Sequence, residues 1–103
     1  MDQVPFDLQP GEQLQAMVRT EPGTVALTDR RLVIATDDRL LLDVPVHGLR
    51  RIQLDVERGR PASLVFVPRD PLHEPQVIAV PHQELESVAE VMSILGRQLA
   101  SLD

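Results

Sequence analysis

Three histidines, His47, His73 and His82, are the side chains of this sequence that titrate near neutral pH. None has a second ligand at a metal-binding spacing such as His-x-x-x-His or Glu-x-x-His, so we expect all three on surface loops. The adjacent carboxylates Asp37 and Asp38 favour a turn over general acid–base chemistry. No serine lies in a Gly-x-Ser-x-Gly motif, and cysteine is absent. The sequence therefore predicts no catalytic residue, no metal site and no cofactor, and a protein that is not an enzyme.

Arginine supplies all ten basic residues, and several arginines are close neighbours in the sequence. Because guanidinium groups bind phosphate and carboxylate through paired hydrogen bonds, converging arginines would form an anion site. The members of this candidate anion patch are Arg30, Arg50, Arg51, Arg58 and Arg60. The alternative is neutralisation in surface salt bridges by the nearby carboxylates Asp29, Asp43, Asp55 and Glu57. We expect the salt bridges, and we expect Arg31 to be structural, with its aliphatic stem along the sheet.

The composition describes one globular domain, residues 1–103, with 43% hydrophobic and 25% charged residues. The net charge of -6 disfavours polyanionic partners, so we expect no nucleic-acid binding and no stable membrane binding. Phe6 and Phe66 are the only aromatic residues, too few to form a platform for nucleobase stacking. No basic residue follows Met1 as in a signal peptide, and no apolar run approaches the roughly 20 residues of a membrane span. We therefore expect a cytoplasmic protein.

Residues 23–36 predict a β-hairpin with a two-residue turn at Asp29-Arg30. In this register Leu27 lies opposite Leu32 and Val25 lies opposite Ile34, and these four side chains form one apolar face. The other face would carry Ala26, Thr28, Arg31 and Val33, a set that suits a wetter surface. Because a slip of one residue would mix the two faces, the pattern itself selects the register.

Alternation of apolar and polar residues predicts seven strands between residues 13 and 80, followed by a helix over about 82–102. The predicted strands are 13–20, 23–28, 31–36, 40–46, 52–57, 63–67 and 76–80. Apolar residues at steps of three and four predict the buried stripe of the helix: Leu85, Val88, Ala89, Met92, Leu95, Leu99 and Leu102. Pro81 marks the boundary between the last strand and the helix.

A second apolar strip of the helix contains Val91 and Ile94, with Gln98 beside it. If the buried stripe is centred on Leu85 and Met92, this strip lies at its flank. It then either widens the buried face or offers a surface for self-association or for a protein partner.

Three segments of this chain carry recognisable motifs: residues 27–32 of the hairpin, Pro10-Gly11-Glu12, and Asp43-Val44-Pro45 with Leu49 and Ile52. These motifs resemble those of bacterial pleckstrin-homology-like (PH-like) domains of the YokE-like, GRAM-related group. The hairpin sequence Leu27-Thr28-Asp29-Arg30-Arg31-Leu32 resembles their Leu-Thr-Asp-x-Arg-Leu signature. Pro10-Gly11-Glu12 is similar to the segment that precedes their first strand, and Asp43-Val44-Pro45 with Leu49 and Ile52 is similar to their fourth and fifth strands.

The resemblance covers nearly the whole chain and implies a seven-stranded antiparallel barrel or sandwich capped by one C-terminal helix. Some PH-like domains assemble as rings, so it also implies a homo-oligomer. Phosphoinositide-binding relatives carry basic residues around the first hairpin loop, where this chain has only Arg19 together with Glu21. The lipid site is therefore not expected here.

Together, these observations predict a mostly β (α+β) fold and a non-enzymatic interaction or assembly module that binds a protein partner or itself. The alternative is a domain that binds an anionic lipid or small metabolite through the candidate anion patch. The sequence names neither the partner nor the ligand.

Overall fold

The computed structural model describes residues 6–20 and 23–100, which form seven β-strands and one α-helix. The strands are β1 (Leu14–Arg19), β2 (Thr24–Thr28), β3 (Arg31–Ala35), β4 (Leu40–Pro45), β5 (Leu49–Asp55), β6 (Ala62–Pro68) and β7 (Gln76–Val80). The helix α1 spans Leu85–Ala100, and short 3₁₀ turns occupy Val46–Gly48 and His82–Glu84. The seven predicted strands are confirmed, although β5 begins at Leu49, three residues earlier than predicted.

The strands form two antiparallel sheets, one with the order β1-β2-β3-β4 and one with the order β5-β6-β7. Within the described residues, strand pairing occurs inside each sheet and does not join the sheets into a closed barrel. The fold is therefore mostly β with a C-terminal helix. The core includes inward-facing residues of both sheets and of the helix, and Phe66 is its largest fully buried side chain.

The predicted register of the β2–β3 hairpin is confirmed, because Leu27 pairs with Leu32 and Val25 pairs with Ile34. The prediction for the opposite face is wrong: Ala26, Thr28 and Val33 are all 0% exposed. β2 and β3 are the central strands of their sheet, and on this face Arg31 contacts residues that precede β1. The Arg31 guanidinium lies 4.9 Å from the centre of the Phe6 ring and donates a hydrogen bond to the Asp7 carbonyl oxygen.

The helix α1 contacts β1 and the Val46–Gly48 turn, but its buried stripe is rotated from the predicted one. Val88, Val91 and Leu95 are the buried residues of the helix, whereas Ala89 is exposed. The larger side chains of the predicted stripe, Leu85, Met92 and Leu99, are partly buried and pack against the core. Val88 and Leu95 of the predicted stripe are therefore confirmed as buried, and Val91 joins them. Leu102 lies outside the described residues.

Candidate functional site

Residues 6–13, which we call the N-terminal segment, contain a tight turn at residues 9–12 that directs the Glu12 side chain towards Thr28 of the β2–β3 hairpin. The Glu12 amide donates to the Gln9 carbonyl oxygen at 2.9 Å, and Gly11 at the third position has a φ of 79°. Proline at the second position and a left-handed glycine at the third are typical of a type II turn. The Gln9 amide in turn donates to Glu12 Oε1 at 2.8 Å. This arrangement turns the carboxylate inwards, and its side chain is 0% exposed.

The carboxylate of Glu12 forms a two-pronged ion pair with Arg31, the first residue of β3. Arg31 Nε lies 2.8 Å from Glu12 Oε2, and Arg31 Nη2 lies 3.0 Å from Glu12 Oε1. On the other side of the guanidinium, Nη1 donates to Asp43 Oδ2 at 2.9 Å. Thr28 Oγ1 donates to Glu12 Oε2 at 2.6 Å. We call these four residues, Glu12, Thr28, Arg31 and Asp43, the Glu12 cluster.

The electrostatics of the Glu12 cluster follow from this geometry. Hydrogen bonding from Arg31 is the main reason that the pKa of Glu12 falls from 4.5 to about 2, against the opposing effect of burial. The hydrogen bond to Glu12 likewise raises the pKa of Arg31 above its ordinary value. Every guanidinium nitrogen of Arg31 already donates to a protein oxygen. The Glu12 cluster therefore fastens the N-terminal segment to the β2–β3 hairpin, and Arg31 has the structural role predicted for it.

Two arginines of the candidate anion patch, Arg30 and Arg60, line different clefts. Arg30 lines a cleft with Gln9 and Asp43, and its Nη1 lies 3.3 Å from Gln9 Oε1. Arg60 lines a different cleft together with Asp55, and its Nη1 lies 3.7 Å from Glu57 Oε2. The two clefts have no lining residue in common. The remaining members, Arg50, Arg51 and Arg58, are exposed on β5 and on the turn that follows it.

The helix strip predicted as a candidate interaction surface faces the fold. Val91 is 0% exposed and belongs to the core, so its assignment to a surface is corrected. Ile94 is half-buried and packs against the core. Gln98 is also half-buried, and its Nε2 donates to Gln15 Oε1 on β1 at 2.6 Å. Of the two interpretations of this strip, the structure supports the wider buried face.

An apolar surface that the sequence analysis did not single out lies on the outer face of the three-stranded sheet. Val77 of β7 is 66% exposed and pairs with Val65 of β6, which is half-buried. Side chains two residues apart share a face, so Val67 and Ala79 lie on this side as well. We call Val65, Val67, Val77 and Ala79 the valine face. The sequence indicates this surface by four consecutive apolar residues, Val77 to Val80, which give β7 apolar side chains on both of its faces.

A cleft of about 740 Å³ runs beside β7 and is lined by Gln76, Val77 and Ile78 on that strand and by Leu41 on β4. Thr36 to Arg39, in the turn between β3 and β4, line the rest of it. The cleft therefore lies between the first three residues of β7 and the β3–β4 hairpin.

Groups of three or more metal-ligating side chains do not occur among the described residues. No helix within the described ranges has the length and apolar character needed to cross a lipid bilayer. No protein-family model, curated protein or solved structure matches this chain.

Proposed function

We propose that this protein is a non-enzymatic, PH-like interaction module of the cytoplasm that works by binding a protein partner or a second copy of itself. The observation that carries the proposal is the valine face, on which Val77, in the edge strand β7, is two-thirds exposed. Exposed apolar surface of this kind is characteristic of protein–protein contacts.

The fold supports the PH-like part of the proposal. Four antiparallel strands, then three, then one C-terminal helix is the order of elements that the sequence resemblance implies. The resembling motifs also have a physical function in this chain. Glu12 of Pro10-Gly11-Glu12 contacts Thr28 and Arg31 of the hairpin signature, so the two motifs form one cluster of contacts.

The alternative, binding of an anionic lipid or metabolite through arginines, has weaker support. Carboxylates line the same clefts as Arg30 and Arg60, and they reduce the local positive potential that an anion would meet. We therefore expect no appreciable sedimentation with anionic or phosphoinositide liposomes at physiological salt.

Sedimentation velocity over a range of protein concentrations tests the proposal, together with liposome cosedimentation as a second arm. Concentration-dependent association without liposome binding supports an assembly module. A strictly monomeric chain that binds anionic liposomes in a salt-sensitive way, with binding lost in Arg50→Glu, would replace the proposal with the lipid-binding alternative. Arg50 is exposed, so the substitution leaves the core intact.

A further inference from the structure

The outer face of the three-stranded sheet is a regular grid whose rows run across the strands. Residues that pair on neighbouring antiparallel strands share a face. In the order β5, β6 and β7, the rows are Arg51-Val67, Gln53-Val65-Val77 and Asp55-Ser63-Ala79. Every residue of these rows is exposed or half-buried. The valine face is therefore the apolar part of a larger surface that is open to contact, and β5 gives that surface a charged border.

The grid carries opposite charges at its two ends. Arg51 lies in the first row and Asp55 in the last, and both are exposed on β5. Among the residues that the structure describes, Arg51 has no carboxylate within ion-pair distance. Gln53 Nε2 donates to Asp55 Oδ2 at 3.3 Å, which places these two side chains on the same face. An apolar patch with a cation at one end and an anion at the other is complementary to a second copy of itself turned end for end.

We infer that two copies of this chain pack the outer faces of their three-stranded sheets against each other about a two-fold axis that runs along the middle row. The inference rests on the proposed function and specifies its partner and arrangement. Because this axis reverses the direction of the strands, Arg51 of each copy lies opposite Asp55 of the other, and the two valine faces cover each other. The middle row, Gln53-Val65-Val77, lies opposite itself and contains no charge.

The other two-fold packing of the same faces, with the axis along the strands, leaves the charges unpaired. It lays β5 of each copy over β7 of the other, where uncharged residues would cover Arg51 and Asp55. Covering a charge without a partner costs free energy. Each copy also carries a net charge of -6, so the contact has to offset a general repulsion between the copies. The positions of Arg51 and Asp55 therefore favour the axis across the strands.

The size of the grid sets the strength of the contact. Neighbouring strands lie about 4.8 Å apart and residues rise about 3.4 Å along a strand, so the grid measures roughly 10 by 14 Å between backbone positions. An interface of this size is at the small end of specific interfaces and forms transient complexes. Association should therefore be measured up to about 1 mM protein.

Charge variants of the full-length chain test the inference by sedimentation equilibrium. Arg51→Glu places a carboxylate opposite Asp55 at both ends of the contact, and Asp55→Arg places a guanidinium opposite Arg51. We expect each variant to self-associate about tenfold more weakly than wild type. The double variant Arg51→Glu with Asp55→Arg again has opposite charges at both ends and should restore association.

The matched control is Arg97→Glu, which makes the same change of charge on the exposed surface of α1. At physiological salt it should associate within about twofold of wild type, because charges outside the contact are largely screened. Circular dichroism verifies that each variant is folded.

Mixing the two single variants gives a test that is specific for this arrangement. The Arg51→Glu chain has carboxylates at both positions and the Asp55→Arg chain has guanidinium groups at both. The mixed dimer therefore has two complementary pairs, whereas neither homodimer has any. We expect the mixture to associate about tenfold more tightly than either variant alone.

The two possible failures are distinguishable. If wild type associates but Arg51→Glu and the Arg97→Glu control associate equally, the face-to-face arrangement is wrong and the self-associating function stands. If wild type is a monomer at every concentration, the inference falls together with the self-associating form of the proposed function, and a partner of another sequence is left as the occupant of the valine face.

Discussion

The substitution Glu12→Gln removes one charge from the Glu12 cluster and keeps the shape of the side chain. The pKa of Glu12 falls from 4.5 to about 2 in the folded protein. Since one pKa unit corresponds to about 1.36 kcal/mol, the ionised carboxylate contributes roughly 3 kcal/mol to the free energy of unfolding. Glutamine has one carbonyl oxygen in place of the two carboxylate oxygens, so it can accept from the Gln9 amide or from the Thr28 hydroxyl but not from both, and the two-pronged ion pair with Arg31 is lost. We expect the variant to be less stable than wild type by about this amount at neutral pH.

The pH dependence identifies the source of this stability. The pKa of Glu12 is lower in the folded than in the unfolded chain, so its contribution is complete above about pH 4.5 and is lost as the pH falls towards 2. The difference in unfolding free energy between wild type and Glu12→Gln should therefore shrink over this range. Urea unfolding followed by far-UV circular dichroism is the suitable assay, because the chain has no tryptophan or tyrosine.

A matched control is Glu57→Gln, which removes an exposed carboxylate that lies 3.7 Å from Arg60. We expect its stability to remain within about 0.5 kcal/mol of wild type, as is usual for exposed sites. A loss of similar size in both variants would refute the reasoning. A difference between wild type and Glu12→Gln that stays constant down to pH 2 would refute it as well.

Four further changes test the packing. Leu32→Ala should lower the unfolding free energy by roughly 2–5 kcal/mol, and a loss under about 0.5 kcal/mol in urea unfolding would contradict the hairpin register. Gly23→Ala should destabilise the fold, because the new Cβ would clash with the Ala35 carbonyl oxygen. Gly96→Ala has open space around it and should stabilise the helix by about 0.5–1 kcal/mol. A thermal melt that ranks the two variants the other way would contradict both assignments. Truncation after Gln83 removes three buried helix residues and should give an unfolded or molten chain. Sharp, dispersed amide NMR signals from the truncated chain would show that the helix is dispensable.

Local alternation was enough to predict the strands and the hairpin register. The pairs Leu27–Leu32 and Val25–Ile34 could be assigned because every other register mixes apolar and polar side chains on one face. The burial of the opposite face could not be predicted in this way. The burial of Ala26 and Val33 depends on the tertiary structure around two central strands, and local periodicity carries no information about such contacts.

The candidate sites, too, could be predicted only where the signal is local in the sequence. The structural role of Arg31 could be expected, but its main partner, Glu12, is 19 residues away, beyond the reach of a local pattern. The burial of Val91 could not be predicted from side-chain size, because α1 buries Val91 more fully than Met92. The valine face could not be predicted because an apolar β7 is equally typical of a strand buried on both sides.

The methyl NMR chemical shifts of Val65, Val67 and Val77, measured at high and low protein concentration, test most directly the proposal that this protein binds a second copy of itself through the valine face. The account predicts that these shifts change with concentration, whereas those of Val25 and Val33, which are fully buried in the other sheet, stay constant. Valine-face shifts that are the same at both concentrations would contradict it.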